Sequence, residues 1–356
     1  MNEKINVYQR RRVFLRWNWN VLKRKKGILT ALVFLLCFAL FFNIASAMAG
    51  QRREVSGRLL TWVDFKVTAQ AMEDALAYDV ASHETEHPIH WIDLLALLGA
   101  KYGGEFKDRY RKADMDAFAA RLQKGETAED IVADNTYLKY FDYYSVAYES
   151  VLGGLVGEYS LQTEESVGGS PVFAPKYGLK AYSPIAEGWA YSHNADFGSA
   201  REFGFKRSHL GHDMFGSVGT PIVNVETCMV EVLGWNKYGG WRVGMRSLDG
   251  RRYYYYAHLR SGHPYAAGLE EGQMVYAGEV IGYMGMTGYS DSEDFNGMQR
   301  PHLHFGVQLI FDESSKNEIW VDPYELTKFL SRHRSSAVSI GNGDFRRKYL
   351  FYDSVE

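Results

Sequence analysis

The longest apolar stretch of the chain lies close to its N-terminus. Residues 27–50 contain no charged side chain, and residues 28–42 are almost continuously apolar (ILTALVFLLCFALFF). A helix of about 20 predominantly apolar residues is long enough to cross the hydrocarbon core of a bilayer. We therefore predict a single transmembrane helix over residues 27–50, preceded by a basic tail over residues 1–26.

The next hundred residues show the hydrophobic period of helices. Apolar side chains recur three or four positions apart in a run that stops at Gly103 and Gly104, namely Trp91, Ile92, Leu94, Leu95 and Leu98. Thr127 and Asp130 have the spacing of a capping box at the start of another helix. We predict a helical region over residues 51–159.

The texture changes twice more before the C-terminus. Glycine and proline become frequent between residues 160 and 184, which predicts a linker over residues 160–182. From about residue 217 onward the hydrophobic period is two, and Gly-rich turns separate the predicted strands. These patterns predict an antiparallel β-rich domain over residues 183–330 and a short, loosely held tail over residues 331–356, and so an α+β fold.

The charge distribution sets the expected topology. Residues 1–26 carry nine basic side chains and one acidic one, a net charge of +8, whereas the remainder carries 31 basic and 42 acidic ones, a net charge of −11. Basic residues beside a span stay in the cytoplasm, so we expect a single-pass cell-membrane protein with residues 51–356 outside. The alternative is cleavage of a signal peptide near Ala47 or Ala49, followed by secretion.

Two further expectations follow from charge and cysteine content. The basic tail is explained as a topology signal, so no nucleic-acid partner is expected. Cys37 lies in the apolar stretch, which leaves Cys228 as the one cysteine outside the membrane. No intramolecular disulfide is therefore predicted in the extracytoplasmic part.

Six of the eleven histidines fall between residues 209 and 304. On a strand, alternate side chains share a face, so His302 and His304 are predicted to point the same way. The same alternation predicts that His258 shares a face with Tyr254 and Tyr256. Rigidly displayed imidazoles of this kind suit metal binding or acid–base chemistry.

A further histidine pairs with a carboxylate over a short spacing. His209 and Asp213 lie four positions apart around Gly211, a spacing that suits a bidentate metal clip. The pattern alone does not decide whether His212 or Asp213 completes the clip.

Taken together, these segments resemble the LytM/lysostaphin-like zinc endopeptidases. The ordered match extends from about residue 183 to residue 329 and consists of His209-Leu-Gly-His-Asp213, Gly219-Thr-Pro221, Tyr256-Ala-His258-Leu259, the glycine-containing segment Gly272–Gly282, and His302-Leu-His304-Phe305. Residues 289–301 depart from the family pattern as a longer acidic insert, which affects the expected groove shape.

The resemblance implies a fold, a cofactor and a set of roles. It implies a lysostaphin-like catalytic domain in which His209, Asp213 and His304 bind Zn²⁺ and His258 and His302 are the catalytic histidines. Three protein ligands would leave a coordination position open for water. The implied function is that of an extracytoplasmic, membrane-anchored bacterial zinc metalloendopeptidase that hydrolyses peptide bonds of peptidoglycan through a zinc-activated water.

Two alternatives remain open at the level of sequence. The first is a catalytically silent scaffold of the same fold that binds cell wall or a partner protein, and residues 51–159 are a candidate surface for protein partners. The second is a zincin site in His83-Glu84-Thr-Glu-His87, which satisfies H-E-x-x-H. Pro88 follows immediately, and proline disfavours the continuous helix that a zincin site needs.

Overall fold

The fold is that of a computed structural model, which describes residues 63–203, 205–311 and 318–353. Among these residues, none of the helices is both long and apolar enough to cross a membrane. The predicted transmembrane segment, residues 27–50, lies outside the described residues, as does the basic tail.

Within the region predicted to be helical, residues 51–159, the described helices lie between residues 69 and 152, and residues 51–62 lie outside the described residues. The helices are α1 (Ala69–Ser82), α2 (Trp91–Tyr102), α3 (Lys112–Leu122), α4 (Ala128–Ala133), a 3₁₀ turn (Thr136–Leu138) and α5 (Phe141–Leu152). Helix α2 forms its centre because its side chains are buried on almost every side. It ends at Gly103, whose φ of 64° is left-handed, and the predicted capping box of Thr127 and Asp130 begins α4.

The rest of the described chain is built mainly from antiparallel strands, with one short helix, α6 (Tyr324–Leu330). The strands are β1 (Val156–Val167), β2 (Ser170–Leu179), β3 (Ser192–His193), β4 (Ala200–Phe203), β5 (Phe205–Ser208), β6 (His212–Phe215), β7 (Pro221–Val223), β8 (Cys228–Asn236), β9 (Gly240–Ser247), β10 (Arg252–Ala257), β11 (Met274–Val275), β12 (Val280–Tyr283), β13 (His302–Leu309), β14 (Ile319–Val321), β15 (Ala337–Gly341), β16 (Asp344–Arg347) and β17 (Phe351–Asp353). The antiparallel β-rich prediction is confirmed.

The central sheet positions the candidate site. Its strand order is β11-β8-β9-β10-β13-β6-β3. Two strands share one edge of β13: β6 pairs with residues 302–305 and β14 pairs with residues 307–309. On β13 the alternation is as predicted: Leu303, Phe305 and Val307 are buried in the core. The opposite face of β13 carries His302 and His304.

The predicted linker folds as part of a long hairpin. Strands β1 and β2 pair along their length, and Val167 lies opposite Ser170. Only Gly168 and Gly169 separate the strands, and both have positive φ, 60° and 82°. Two such residues form the tight turn that matches the twist of a hairpin. The glycines that suggested a linker over residues 160–182 therefore make a turn.

The C-terminal segment, 331–356, is also better ordered than predicted as far as residue 353. Strand β17 pairs with β1, and Phe351 is buried against Tyr159 and Tyr182. The guanidinium of Arg347 is buried over the Tyr182 and Phe351 rings. These aromatic contacts hold a segment whose serine content had suggested a loose tail.

The helical region and the sheet share one hydrophobic core. Buried side chains of both belong to the same cluster, and Trp91 of α2 stacks on Phe329 of α6 with ring centroids 5.9 Å apart. Arg252 at the start of β10 donates a 3.2 Å hydrogen bond to the carbonyl of Ser150 on α5 and is held by Glu226. The helices thus pack against the core face of the sheet, and its other face carries the histidines.

Candidate active site

Two of the predicted ligands lie opposite each other on neighbouring strands. Asp213 is on β6 and His304 is on β13, and the antiparallel register pairs them directly. Directly opposed residues in such a pair have their side chains on the same face of the sheet. The Nδ1 atom of His304 is consequently 3.1 Å from Oδ1 of Asp213.

The third predicted ligand, His209, reaches the same point from the turn after β5. Its Nε2 atom is 2.8 Å from Nδ1 of His304 and 3.0 Å from Oδ1 of Asp213. Gly211 permits this approach, because a Cβ atom there would lie 2.6 Å from the His304 ring. These three residues form a His/Asp group with the geometry to hold a metal ion in the described part of the chain.

Two carboxylates beside His209 favour positive charge at this point. Its Nδ1 faces Asp196, 3.2 Å from the backbone carbonyl and 3.3 Å from Oδ2. Burial opposes protonation, but the hydrogen bonds to Asp196 and Asp213 outweigh it and raise the pKa of His209 to about 9. In the metal-free protein, a proton on Nε2 of His209 supplies positive charge between this nitrogen, Oδ1 of Asp213 and Nδ1 of His304.

The atoms that His209, Asp213 and His304 direct at this point are suitable ligands for zinc. When Nδ1 of His209 donates to Asp196, deprotonated Nε2 directs its lone pair at the space shared with Asp213 and His304. Two imidazoles and one carboxylate are ligands that Zn²⁺ takes in catalytic sites, and an outer carboxylate on a ligating histidine is typical. The residues present therefore fit a zinc ion.

The two remaining histidines lie beside this cluster with matching tautomers. His302 places Nδ1 2.8 Å from the carbonyl of Arg300, and His258 places Nδ1 2.7 Å from the carbonyl of Thr287. A carbonyl only accepts, so each Nδ1 carries hydrogen, and in the neutral ring Nε2 then keeps its lone pair. The two ring centroids are 4.7 Å apart, and Nε2 of His302 lies 3.8 Å from Asp213 Oδ1.

His258 reaches this face in a way that strand alternation does not predict. Alternation placed it with Tyr254 and Tyr256, but both tyrosines are buried in the core and His258 contacts His302 on the opposite side. His258 has a φ of 62°, in the left-handed region. The chain turns at this residue, just after β10 ends, and the alternation stops there.

Two residues that support the ligands were not identified from sequence. Asp196 contacts the outer nitrogen of His209, and Arg201 on β4 links the two carboxylates: its Nη2 atom is 2.7 Å from Asp196 Oδ2 and 3.1 Å from Asp213 Oδ2. This leaves Oδ1 of Asp213 for the cluster. Neither residue belongs to a motif, so only the fold brings them into contact with the ligands.

The histidines without a predicted role are accounted for elsewhere. His212 is fully buried behind the ligands, with Nε2 2.7 Å from Nδ1 of His193. His263 pairs with Asp344 at 2.8 Å. In the H-E-x-x-H segment, α1 ends at Ser82, so His83 and His87 do not share a helix, and the His83 ring stacks on Tyr177.

Comparison with known proteins matches the same part of the chain. Residues 207–323 match the sequence profile of Peptidase family M23. The L-Ala--D-Glu endopeptidase of Bacillus subtilis (strain 168) is 39% identical over 134 residues, which are 38% of this chain and 39% of that relative. The glycyl-glycine endopeptidase ALE-1 of Staphylococcus capitis is 31% identical over 140 residues, 39% of this chain and 34% of that relative.

A solved structure also matches. It is a Ruminococcus gnavus ATCC 29149 protein whose assignment as the glycyl-glycine endopeptidase lytM is itself provisional, with a TM-score of 0.45, 22% identity, and coverage of 77% of this chain and 92% of that one. The match to each of the two curated relatives spans less than two fifths of that relative's length. Residues 207–323 therefore form a domain that matches Peptidase family M23 and has curated endopeptidase homologues.

Proposed function

We propose that the chain is a zinc-dependent endopeptidase that hydrolyses peptide bonds in bacterial peptidoglycan. One observation carries the proposal: His209, Asp213 and His304 converge within 3.1 Å of one another, with two further imidazoles alongside. The endopeptidase names of the relatives support the reaction class. The L-Ala–D-Glu bond is the first substrate to test, since the Bacillus relative named for that bond is 39% identical to this chain over 134 residues.

Zinc in this site would supply a Lewis acid and an acidic water at the coordination position that three protein ligands leave open. His209, Asp213 and His304 are the residues that would hold it. Arg201 binds the outer oxygen of Asp213 and Asp196 binds the outer nitrogen of His209. These contacts fix both ligands before a metal binds.

The two remaining histidines are suited to moving one proton. In their neutral forms, His302 and His258 each have the lone pair on Nε2, because Nδ1 donates to a backbone carbonyl. Burial, together with the neighbouring His302 and His304, holds the pKa of His258 well below its usual value. Two imidazoles at this distance disfavour double protonation. The pair would therefore take one proton from the attacking water and pass it to the leaving amine.

The test uses the purified full-length chain, its zinc content, and release of new amine ends from bacterial cell walls. The wild type is expected to hold one zinc ion and cut the wall peptide. His304→Ala should lose both zinc and activity, whereas His258→Ala should keep zinc and lose activity. His83→Ala is the matched histidine control and should keep both.

Each other outcome has a distinct meaning. A wild type that holds zinc and releases no amines would contradict the enzyme proposal and favour the binding scaffold. Unchanged activity in His304→Ala, with loss in His83→Ala, would move the reaction to the H-E-x-x-H segment. Absence of zinc from an active wild type would contradict the metal assignment.

We also propose that residues 27–50 anchor the protein in the cytoplasmic membrane, with the M23 domain outside. The support is the charge-free apolar stretch and the +8 charge of the residues before it. Reporter fusions after residue 26 and after residue 353 should show cytoplasmic and external locations respectively. Release of a soluble chain that starts near residue 48 or 50 would show cleavage instead.

A further inference from the structure

We propose that Arg207 and Arg242 form a subsite that binds a substrate carboxylate beside the catalytic histidines. The subsite selects peptides with an acidic residue close to the bond that is cut. This inference rests on the proposed function and specifies its substrate class.

The β4–β5 hairpin aims Arg207 at the site. Arg201 and Arg207 are directly opposed in the hairpin, so their side chains leave the same face. Arg201 reaches the ligand Asp213. Arg207 reaches the aromatic side of the site, where its guanidinium lies 5.0 Å from the Tyr238 ring centre and 5.1 Å from that of Tyr289.

Tyr289 connects this arginine to the catalytic pair. Arg207 donates a hydrogen bond to the Tyr289 hydroxyl, and the Tyr289 ring meets the His258 ring edge-on with centroids 6.0 Å apart. The guanidinium is thus at most about 11 Å from the His258 ring. An extended residue spans about 3.3–3.6 Å, so a glutamate one or two residues from the scissile bond can reach it.

Arg242 adds a second positive charge to the same place. It lies on β9 two residues before Gly244, which is paired with Tyr255 of β10, so the side chains of Arg242 and Tyr255 leave the same face of the sheet. Tyr255 is on the face of β10 that carries the site, with its ring 5.9 Å from the His304 ring. Arg242 therefore lies on the sheet face that carries the predicted ligand His304.

Neither charge is neutralised by a carboxylate of the described residues. Within the described ranges, Arg207 and Arg242 take part in no ion pair, and the Nε atom of each is buried without a hydrogen-bond partner. By contrast, Arg201 and Arg246 have carboxylate partners. The acidic insert does not supply the missing carboxylate through Asp294, which accepts from the Trp241 indole at 2.7 Å.

A half-buried guanidinium without a carboxylate partner has a desolvation cost that a bound carboxylate would offset. A planar guanidinium stacked on aromatic rings is also well suited to binding a carboxylate by two hydrogen bonds. The two tyrosines hold Arg207 in place, so little side-chain entropy is lost when a ligand binds. The substrate that fits is a peptide bearing a carboxylate, such as D-glutamate after the scissile bond. A run of glycines has no side chain to use this subsite.

The experiment compares two synthetic peptides with the full-length protein. They are identical except that one carries D-Glu and the other D-Gln after the L-Ala whose bond is cut. We expect kcat/KM for the D-Glu peptide to fall about 10- to 100-fold in Arg207→Gln, the range for a hydrogen bond between charged groups. The D-Gln peptide should change less than about threefold, and Arg207→Lys should lie between wild type and Arg207→Gln.

Arg300→Gln is the matched control, because Arg300 also stacks on a ring beside a proposed catalytic histidine, but that ring is Phe215 next to His302 and not Tyr289 next to His258. It should affect both peptides equally. Equal losses for both peptides in Arg207→Gln would overturn the subsite, as would a wild type indifferent to the carboxylate.

Equilibrium binding of the same peptides separates this inference from the proposed function. If the wild type cuts neither peptide, the enzyme proposal fails. Tighter binding of the D-Glu peptide that Arg207→Gln abolishes would still support the subsite, and equal binding of both peptides would refute it. Thermal unfolding of each variant verifies that a loss is not caused by misfolding.

Discussion

The contact between Asp196 and His209 makes a quantitative prediction about zinc affinity. Opposite unit charges 3.3 Å apart interact by about 5 kcal/mol at an effective dielectric constant of about 20. Arg201, 2.7 Å from the same carboxylate, offsets part of this interaction. For Asp196→Asn we therefore expect a loss of about 10- to 100-fold in zinc affinity, equivalent to about 1.4–2.7 kcal/mol.

Arg201 makes the prediction sharper. It bridges Asp196 and Asp213, so in Asp196→Asn its whole charge acts on Asp213 and competes with the metal for that carboxylate. Replacing the arginine as well, in Asp196→Asn/Arg201→Gln, should therefore recover part of the lost affinity. Residues in one network are expected to be non-additive in this way.

The assay is competition for zinc between the full-length chain and a chromophoric chelator at fixed pH. Asp344→Asn is the matched control, because Asp344 also contacts a histidine, His263, away from the ligands. It should leave zinc affinity unchanged. Wild-type affinity in Asp196→Asn, or a double variant as weak as the two single losses combined, would refute the reasoning.

Three other variants test the ligand approach, the shared core and a buried histidine. Gly211→Ala should weaken zinc binding, measured by the same competition, because its Cβ would meet the His304 ring at 2.6 Å; unchanged affinity would show that the turn can yield. Glu226→Gln should lower the free energy of unfolding by about 3–5 kcal/mol in urea, because it removes the charge that faces the buried Arg252; a loss below 1 kcal/mol would contradict this. Burial lowers the pKa of His333, so the unfolded chain binds a proton near pH 6.5 that the native chain does not, and stability falls as pH drops below that value. His333→Asn should reduce this slope by at most about 1.4 kcal/mol per pH unit, and an unchanged slope would assign the effect to other groups.

Local patterns predicted much of the fold because they record which face of an element is buried. The alternation over β13 separates core residues such as Phe305 from His302 and His304, and α2 ends at Gly103 as its sequence indicates. The prediction of a linker is wrong at Gly168 and Gly169, because glycine is typical both of a two-residue hairpin turn and of a flexible linker. Deciding between them requires knowing that β1 and β2 pair along their length.

The support around the ligands could not be predicted for a different reason. Asp196 and Arg201 are ordinary polar residues in sequence, without a motif or a hydrophobic period to mark them. Their function arises from the β4–β5 hairpin, which brings Arg201 to Asp213, and from the turn that places Asp196 behind His209. Contacts of this kind, between residues that no sequence motif marks, can be identified only from the three-dimensional structure.

The position of His258 is determined by loops and not by the strands of the sheet. Its left-handed backbone, with φ of 62°, costs free energy for a residue with a Cβ and so needs support from its surroundings. Three hydrogen bonds give that support: the backbone N–H donates to Gly239 at 2.7 Å, the carbonyl accepts from Gly285 at 3.0 Å, and Nδ1 donates to Thr287 at 2.7 Å. All three partners lie in loops. The sheet therefore fixes His302 and His304, whereas the loops fix His258, and changes in those loops should alter catalysis before they alter metal binding.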